Sequence, residues 1–182
     1  MLMQRRLLLL GLGAFATRAA HALYDPKPLA LIEPALGSWI GTLTYRDYQK
    51  PERMVTLSTS MTASLTAPDE LALHYVFDDG PGKTVYSYER MRFDLAGQQV
   101  IWQFGISKSK LETYKITASA VQDGRSTVAF EQRQEADTDH YLFELSKRSW
   151  TLTKHEVSGG AGSDGPAARV LRSKYEFSRR EA

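Results

Sequence analysis

The chain has 182 residues, 23 of them basic and 21 acidic, a formal net charge of +2 and no cysteine. This length suits one ordinary domain that can build an apolar core on its own. The missing cysteine excludes disulfides and a lipid-bearing cysteine, and the near balance of charge argues against nucleic acid as a partner, which a basic excess would signal.

Residues 1–22 carry a basic start (Arg5, Arg6), an apolar run from Leu7 to Ala16 and a small-x-small end at Ala20-His21-Ala22. That order of features predicts a secretory signal peptide, and hence a periplasmic or secreted protein. The apolar run is too short to span a bilayer, so no stable membrane span is expected after cleavage. The Arg5-Arg6 pair is also compatible with twin-arginine export. The leader holds three of the basic residues (Arg5, Arg6, Arg18) and none of the acidic ones, so the remainder is close to neutral. Residues 23–35, with Pro26, Pro28 and Pro34, are expected to form a linker with at most a short helical turn.

From residue 36 onward the chain alternates like strand after strand. In Met54 to Thr66, Val55, Leu57, Met61, Ala63 and Leu65 fall on one parity, and Thr56, Ser58, Ser60, Thr62 and Ser64 on the other. Period two over about a dozen residues predicts a strand with one dry face and one wet face. Glu70 to Phe77 places Leu71, Leu73, Tyr75 and Phe77 in phase, and Asp78 to Lys83 (DDGPGK) is a turn. Thr84 to Phe93 follows, then a turn at Leu95 to Gln98. Next comes Gln99 to Ile106, with Val100, Trp102, Phe104 and Ile106 in phase. Leu111 to Val121, a turn at Asp123-Gly124, Ser126 to Gln134, His140 to Leu145, Ser149 to Val157 and Arg169 to Ser178 complete the series. Strands joined in succession by short turns predict an all-β, up-and-down antiparallel barrel of about 8–10 strands, closed or nearly closed. Closure removes both the free edges and the bare apolar face of an open sheet. A two-sheet sandwich is the alternative.

Leu36-Gly37-Ser38-Trp39, ahead of an alternating strand, resembles the opening of calycins and lipocalin-like barrels, including the small bacterial ones of the nitrobindin type. The resemblance implies that Trp39 plugs one end of the barrel and that a basic residue from a late strand stacks on it. Arg172 is the positional candidate, through a cation–π contact. It extends over residues 36–182 by strand count and over a few residues by motif. Three features depart from the wider group. No C-terminal helix is evident, only Gln49 to Glu52 separates the first two strands, and the last strand has Arg172 and Tyr175 three apart in place of Arg-x-Tyr.

Several groups are candidates for chemistry. Gly160, Gly162 and Gly165 match G-x-G-x-x-G by spacing but have no helix to receive a phosphate. His74, His140 and His155 lie off the apolar parity of their strands, as surface residues would, and none has metal-ligand spacing with another. A haem-ligating histidine is what the nitrobindin type would imply. The run Tyr86 to Phe93 (YSYERMRF) is the most informative. If Val85, Met91 and Phe93 face inward, Glu89 does too; if Tyr86 and Tyr88 face inward, so do Arg90 and Arg92. Either register buries charge, which is costly unless the charge is paired or meets a ligand.

The candidate ligand-contacting residues are therefore Tyr75, Tyr86, Tyr88, Glu89, Arg90, Arg92, Trp102, Phe104 and Tyr141, with Trp39 and Arg172 as structural residues. The reading these support is an exported barrel holding a small apolar or amphipathic molecule in its interior. The alternatives are a barrel enzyme using interior Glu, Arg and Tyr groups, and an envelope protein with a filled barrel acting through its surface. No residue set assigns a catalytic group, a metal, a cofactor or an oligomeric state.

Overall fold

The computed structural model describes residues 28–106, 110–135, 137–158 and 168–180. The leader (residues 1–22) and the glycine-rich spacing at 160–165 lie outside the described residues. A short helix α1 (Pro28–Ile32) and a 3-10 turn (Glu33–Ala35) lead into ten strands: β1 (Gly37–Arg46), β2 (Met54–Ala67), β3 (Glu70–Asp78), β4 (Thr84–Asp94), β5 (Gln99–Phe104), β6 (Lys110–Gln122), β7 (Arg125–Arg133), β8 (Asp137–Leu145), β9 (Ser149–Ser158) and β10 (Ala168–Arg179). Each strand pairs antiparallel with the next, and β10 closes on β1, giving a closed up-and-down barrel.

The alternation seen in the sequence becomes inside and outside. In β2, Thr59, Met61 and Ala63 are buried while Thr56, Ser58, Thr62 and Ser64 are exposed. Two expected inner residues are not inside: Leu65, near the end of β2, is 38% exposed, and Ile106 lies beyond β5. The backbone leaves β5 at Gly105, whose φ of +77° suits glycine, and Ile106 is 71% exposed.

The two ends of the barrel differ. At the end where β1 begins, Leu31, Ile32 and Ala35 of the lead-in are fully buried beneath the strands, and α1 packs on β6 and β7. The described part of the expected linker, residues 28–35, is thus the floor. Above it lies a dry layer that includes Trp39, Phe93, Val100, Phe143, Trp150 and Phe177.

Trp39 is 1% exposed and its indole Nε1 donates to the Ala35 carbonyl at 2.7 Å, tying β1 to the 3-10 turn. The cation over its ring is Arg179, 4.4 Å from the ring centroid, and not Arg172. The Arg179 guanidinium also donates to the carbonyls of Pro34 and Leu36, both at 2.8 Å. The correction follows from strand direction. In an antiparallel pair the start of β1 meets the end of β10, and the register sets Trp39 opposite Arg179. Arg172 sits at a bulge near the other end of β10, with its guanidinium 3.4 Å from Glu156. Gly37 has a φ of +115°, and a Cβ there would stand 2.7 Å from the Arg179 guanidinium. The Gly-x-Trp opening is therefore a floor joint: glycine admits the arginine that covers the tryptophan.

Candidate functional site

The opposite end, where β1 finishes, is where polar side chains enter the interior. Two hollows adjoin there. The first, of about 360 Å³, is mostly apolar and aromatic, lined by Leu43, Tyr45, Tyr48, Leu57, Phe77, Asp79, Val85, Ser173 and Tyr175. The second, of about 190 Å³, is polar, lined by Tyr45, Arg46, Tyr48, Gln134, Asp137, Asp139, Lys154, Glu156, Arg172 and Ser173. They share Tyr45, Tyr48 and Ser173.

The polar hollow arises because the inward rows of β8 and β9 change character along the strands. From the floor upward, β8 offers Leu145, Phe143, Tyr141 and Asp139, and β9 offers Trp150, Leu152, Lys154 and Glu156. Lys154 Nζ lies 2.7 Å from Asp139 and 5.4 Å from the Tyr141 ring centroid. Burial works against the ammonium, but the hydrogen bond to Asp139 holds the Lys154 pKa above the ordinary lysine value. Gln134 donates to the same Asp139 carboxylate at 3.3 Å. With Arg172 on Glu156, the mouth carries two ion pairs side by side.

Deeper in, β4 settles its register. Glu89, Met91 and Phe93 are buried, and Glu89 is 7% exposed. Its Oε2 accepts from the Trp102 indole at 2.9 Å, and its Oε1 accepts from the Ser87 hydroxyl at 3.4 Å. Burial pushes its carboxyl up to about 7, against the pull of those two hydrogen bonds. Tyr75 stands opposite Ser87 on β3. Its ring lies 5.3 Å from that of Tyr175, and its buried hydroxyl has no hydrogen-bond partner. Burial first, and then the Glu89 charge, raise both phenols well above the ordinary tyrosine value.

Of the sequence candidates, Tyr75, Glu89, Trp102, Phe104 and Tyr141 come together inside. Trp102 stacks on Phe104 at 4.7 Å and meets Tyr141 edge-on at 5.7 Å. Tyr86, Tyr88, Arg90 and Arg92 do not join them, because the parity that takes Glu89 inward turns these four outward. Tyr86 is 76% exposed, and Arg92 is exposed. Tyr88 packs edge-on against His74 at 4.7 Å, and Arg90 pairs with Glu70 at 2.8 Å through Nε. Sequence reasoning missed Lys154, Asp139 and Glu156 as a set, although they continue the inward parity of strands already recognised. It also missed Leu43, Tyr45 and Tyr48, because the β1 alternation was followed only as far as its tryptophan.

Haem held by a wall histidine does not fit. His74, His140 and His155 all lie on the outer face, against Tyr88, Glu131 and Arg169 respectively. A larger depression of about 770 Å³ lies on the outer wall, lined by residues such as Ile40, Ser58, Ser60 and Ser178. It is shallow and gathers no buried polar cluster, so the site is placed at the mouth.

No protein-family model matches the chain, and no curated protein matches it. Solved structures do. The crystal structure of Rv2717c from M. tuberculosis superposes with a TM-score of 0.58 at 11% identity, over 86% of this chain and 99% of that one. The S-type phycobiliprotein lyase CPES from Guillardia theta superposes with a TM-score of 0.52 at 8% identity, over 83% of this chain and 90% of that one. At these identities the likeness is one of fold, and the fold is a ten-stranded, lipocalin-like barrel.

Proposed function

We propose that this protein is an exported binder of a small amphipathic molecule, taken up at the open end of the barrel. The ligand's apolar body lies against Leu43, Leu57, Phe77, Val85 and Tyr175, and its polar groups meet the Asp139–Lys154 and Glu156–Arg172 pairs. One observation carries this reading: an apolar hollow and an ion-paired hollow adjoin at the one end that the lead-in does not seal. A cavity of about 360 Å³ is within the range of small-molecule sites, which combine apolar walls with a few placed polar groups. The signal-like start of the sequence supports export. Strand count and short turns support a place among the small bacterial barrels of the nitrobindin type, without the wall histidine. That one neighbour in fold is named a phycobiliprotein lyase supports a working interior for such barrels, and no reaction is carried over from it.

The neutral fluorescent amphiphile N-phenyl-1-naphthylamine tests this directly. Its emission is expected to rise on binding. Ser173→Phe, which fills the junction of the two hollows, is expected to weaken binding at least about tenfold. Ser178→Phe, on the outer wall of the same strand, is expected to leave it unchanged. Failure of the wild-type protein to bind the dye, or loss caused by Ser178→Phe alone, would overturn the proposal.

A further inference from the structure

Glu89 is a buried carboxylate without a countercharge: among the described residues its hydrogen-bond partners are the neutral Trp102 and Ser87. Of the cations lining the polar hollow among the described residues, Lys154 and Arg172 are engaged by Asp139 and Glu156, and Arg46 donates to the Leu171 carbonyl. Beside Glu89, one step along the inner face of the β3–β4 pair, Tyr75 buries a hydroxyl with no partner. Buried polar groups are nearly always satisfied, and each exception calls for a reason. Tyr75 is such an exception, and its neighbour Glu89 is a buried carboxylate that has donors but no countercharge. The Ser87 contact marks the Glu89 carboxyl as turned toward the mouth, since Ser87 precedes it on the inward row that begins at Val85. Val85 and Tyr175 line the apolar hollow, and the Tyr175 ring packs on Tyr75.

We propose that this pair is the deep anchor of the binding site and that it takes a ligand amine, protonated as an ammonium. The proposal rests on the amphipathic-ligand reading and narrows its ligand class. An ammonium carries donors and no acceptor. It can donate to Glu89 Oε1 and to the Tyr75 oxygen, giving the first a countercharge and the second a partner. The surroundings are aromatic: Trp102 stacks on Phe104, and the Tyr75 ring packs on Tyr175. An anionic head would meet the Glu89 charge at short range, and among the described residues no cation contacts Glu89.

The test is competition of octylammonium, octanol and octanoate against bound N-phenyl-1-naphthylamine, since the three share a chain and differ in the head. Octylammonium is expected to displace the dye at least about tenfold more effectively than either of the others. Glu89→Gln keeps the shape and an oxygen for Trp102, and it is expected to abolish the preference, with displacement by the three ligands read relative to one another on the variant itself. Equal displacement by the three, or an amine preference that survives Glu89→Gln, overturns the anchor and leaves the binder reading standing. Absence of dye binding to the wild-type protein removes both. The ranking of the three ligands on the wild-type protein needs no variant to fold.

Discussion

Trp39→Ala is expected to cost about 3–5 kcal/mol of stability, the usual loss for emptying a buried large aromatic site. Three effects add at this position. The cavity opens between the dry layer and the lead-in, where Leu31, Ile32 and Ala35 leave no room for collapse. The Ala35 carbonyl loses the indole donor that reaches it at 2.7 Å. Arg179 loses the ring beneath its guanidinium, although its bonds to Pro34 and Leu36 remain. A loss of that size threatens a domain whose total stability is on the order of 5–15 kcal/mol. Urea unfolding monitored by circular dichroism measures it. Trp39→Phe keeps a ring and most of the volume, so its loss is expected to be smaller and its dye affinity that of the wild type. A Trp39→Phe protein of near-normal stability that no longer binds would show that the tryptophan belongs to the site and not to the floor.

Glu89 is expected to make stability fall as pH rises through the weakly acidic range. Its carboxyl stands at about 7 in the folded barrel against an ordinary value of 4.5. Below pH 4.5 both folded and unfolded states hold the proton, and the side chain costs nothing. Between 4.5 and 7 only the folded state holds it, so each rise in pH favours unfolding. Across that window the loss amounts to roughly 3 kcal/mol, at about 1.4 kcal/mol for each pKa unit. The groups that face Glu89 do not confound the window: Tyr75 from β3 and Tyr175 from β10 titrate far above it, and Trp102 from β5 does not titrate. Glu89→Gln, measured without added ligand, is expected to be more stable than the wild type at pH 8, with the difference closing toward pH 4.5. Parallel stability curves for the two proteins would show that Glu89 carries no buried charge.

Local alternation was enough to place the strands, because a half-buried strand writes its two faces into every second residue. β2 is the clearest case, with Thr56, Ser58, Thr62 and Ser64 exposed and Met61 and Ala63 buried. The register of β4 was not legible, since both of its parities carry large apolar or aromatic residues together with charge. The choice is made by other strands: His74 receives Tyr88 and Glu70 receives Arg90 on the outer wall, leaving Glu89 to the interior. The arginine over Trp39 lies seven residues beyond Arg172, because the antiparallel β1–β10 pair sets the start of β1 against the end of β10, where Arg179 stands. The lead-in helix was invisible as a floor, because five residues are too few to show a helical period and their burial depends on β6 and β7. The ion-paired mouth was legible in part. Asp139, Lys154 and Glu156 keep the inward parity of β8 and β9, but Arg172 reaches Glu156 only through the bulged β9–β10 pairing.

The central claim is that ligand enters at the end opposite the lead-in, above a sealed floor. The measurement that tests it most directly is the map of backbone amide shifts during titration with N-phenyl-1-naphthylamine. The account predicts the largest changes at Tyr45, Val85, Lys154, Ser173 and Tyr175, with Trp39, Phe143 and Phe177 still. Changes centred on Ile40, Ser58 and Ser178 of the outer wall, or on the floor around Trp39, would contradict it.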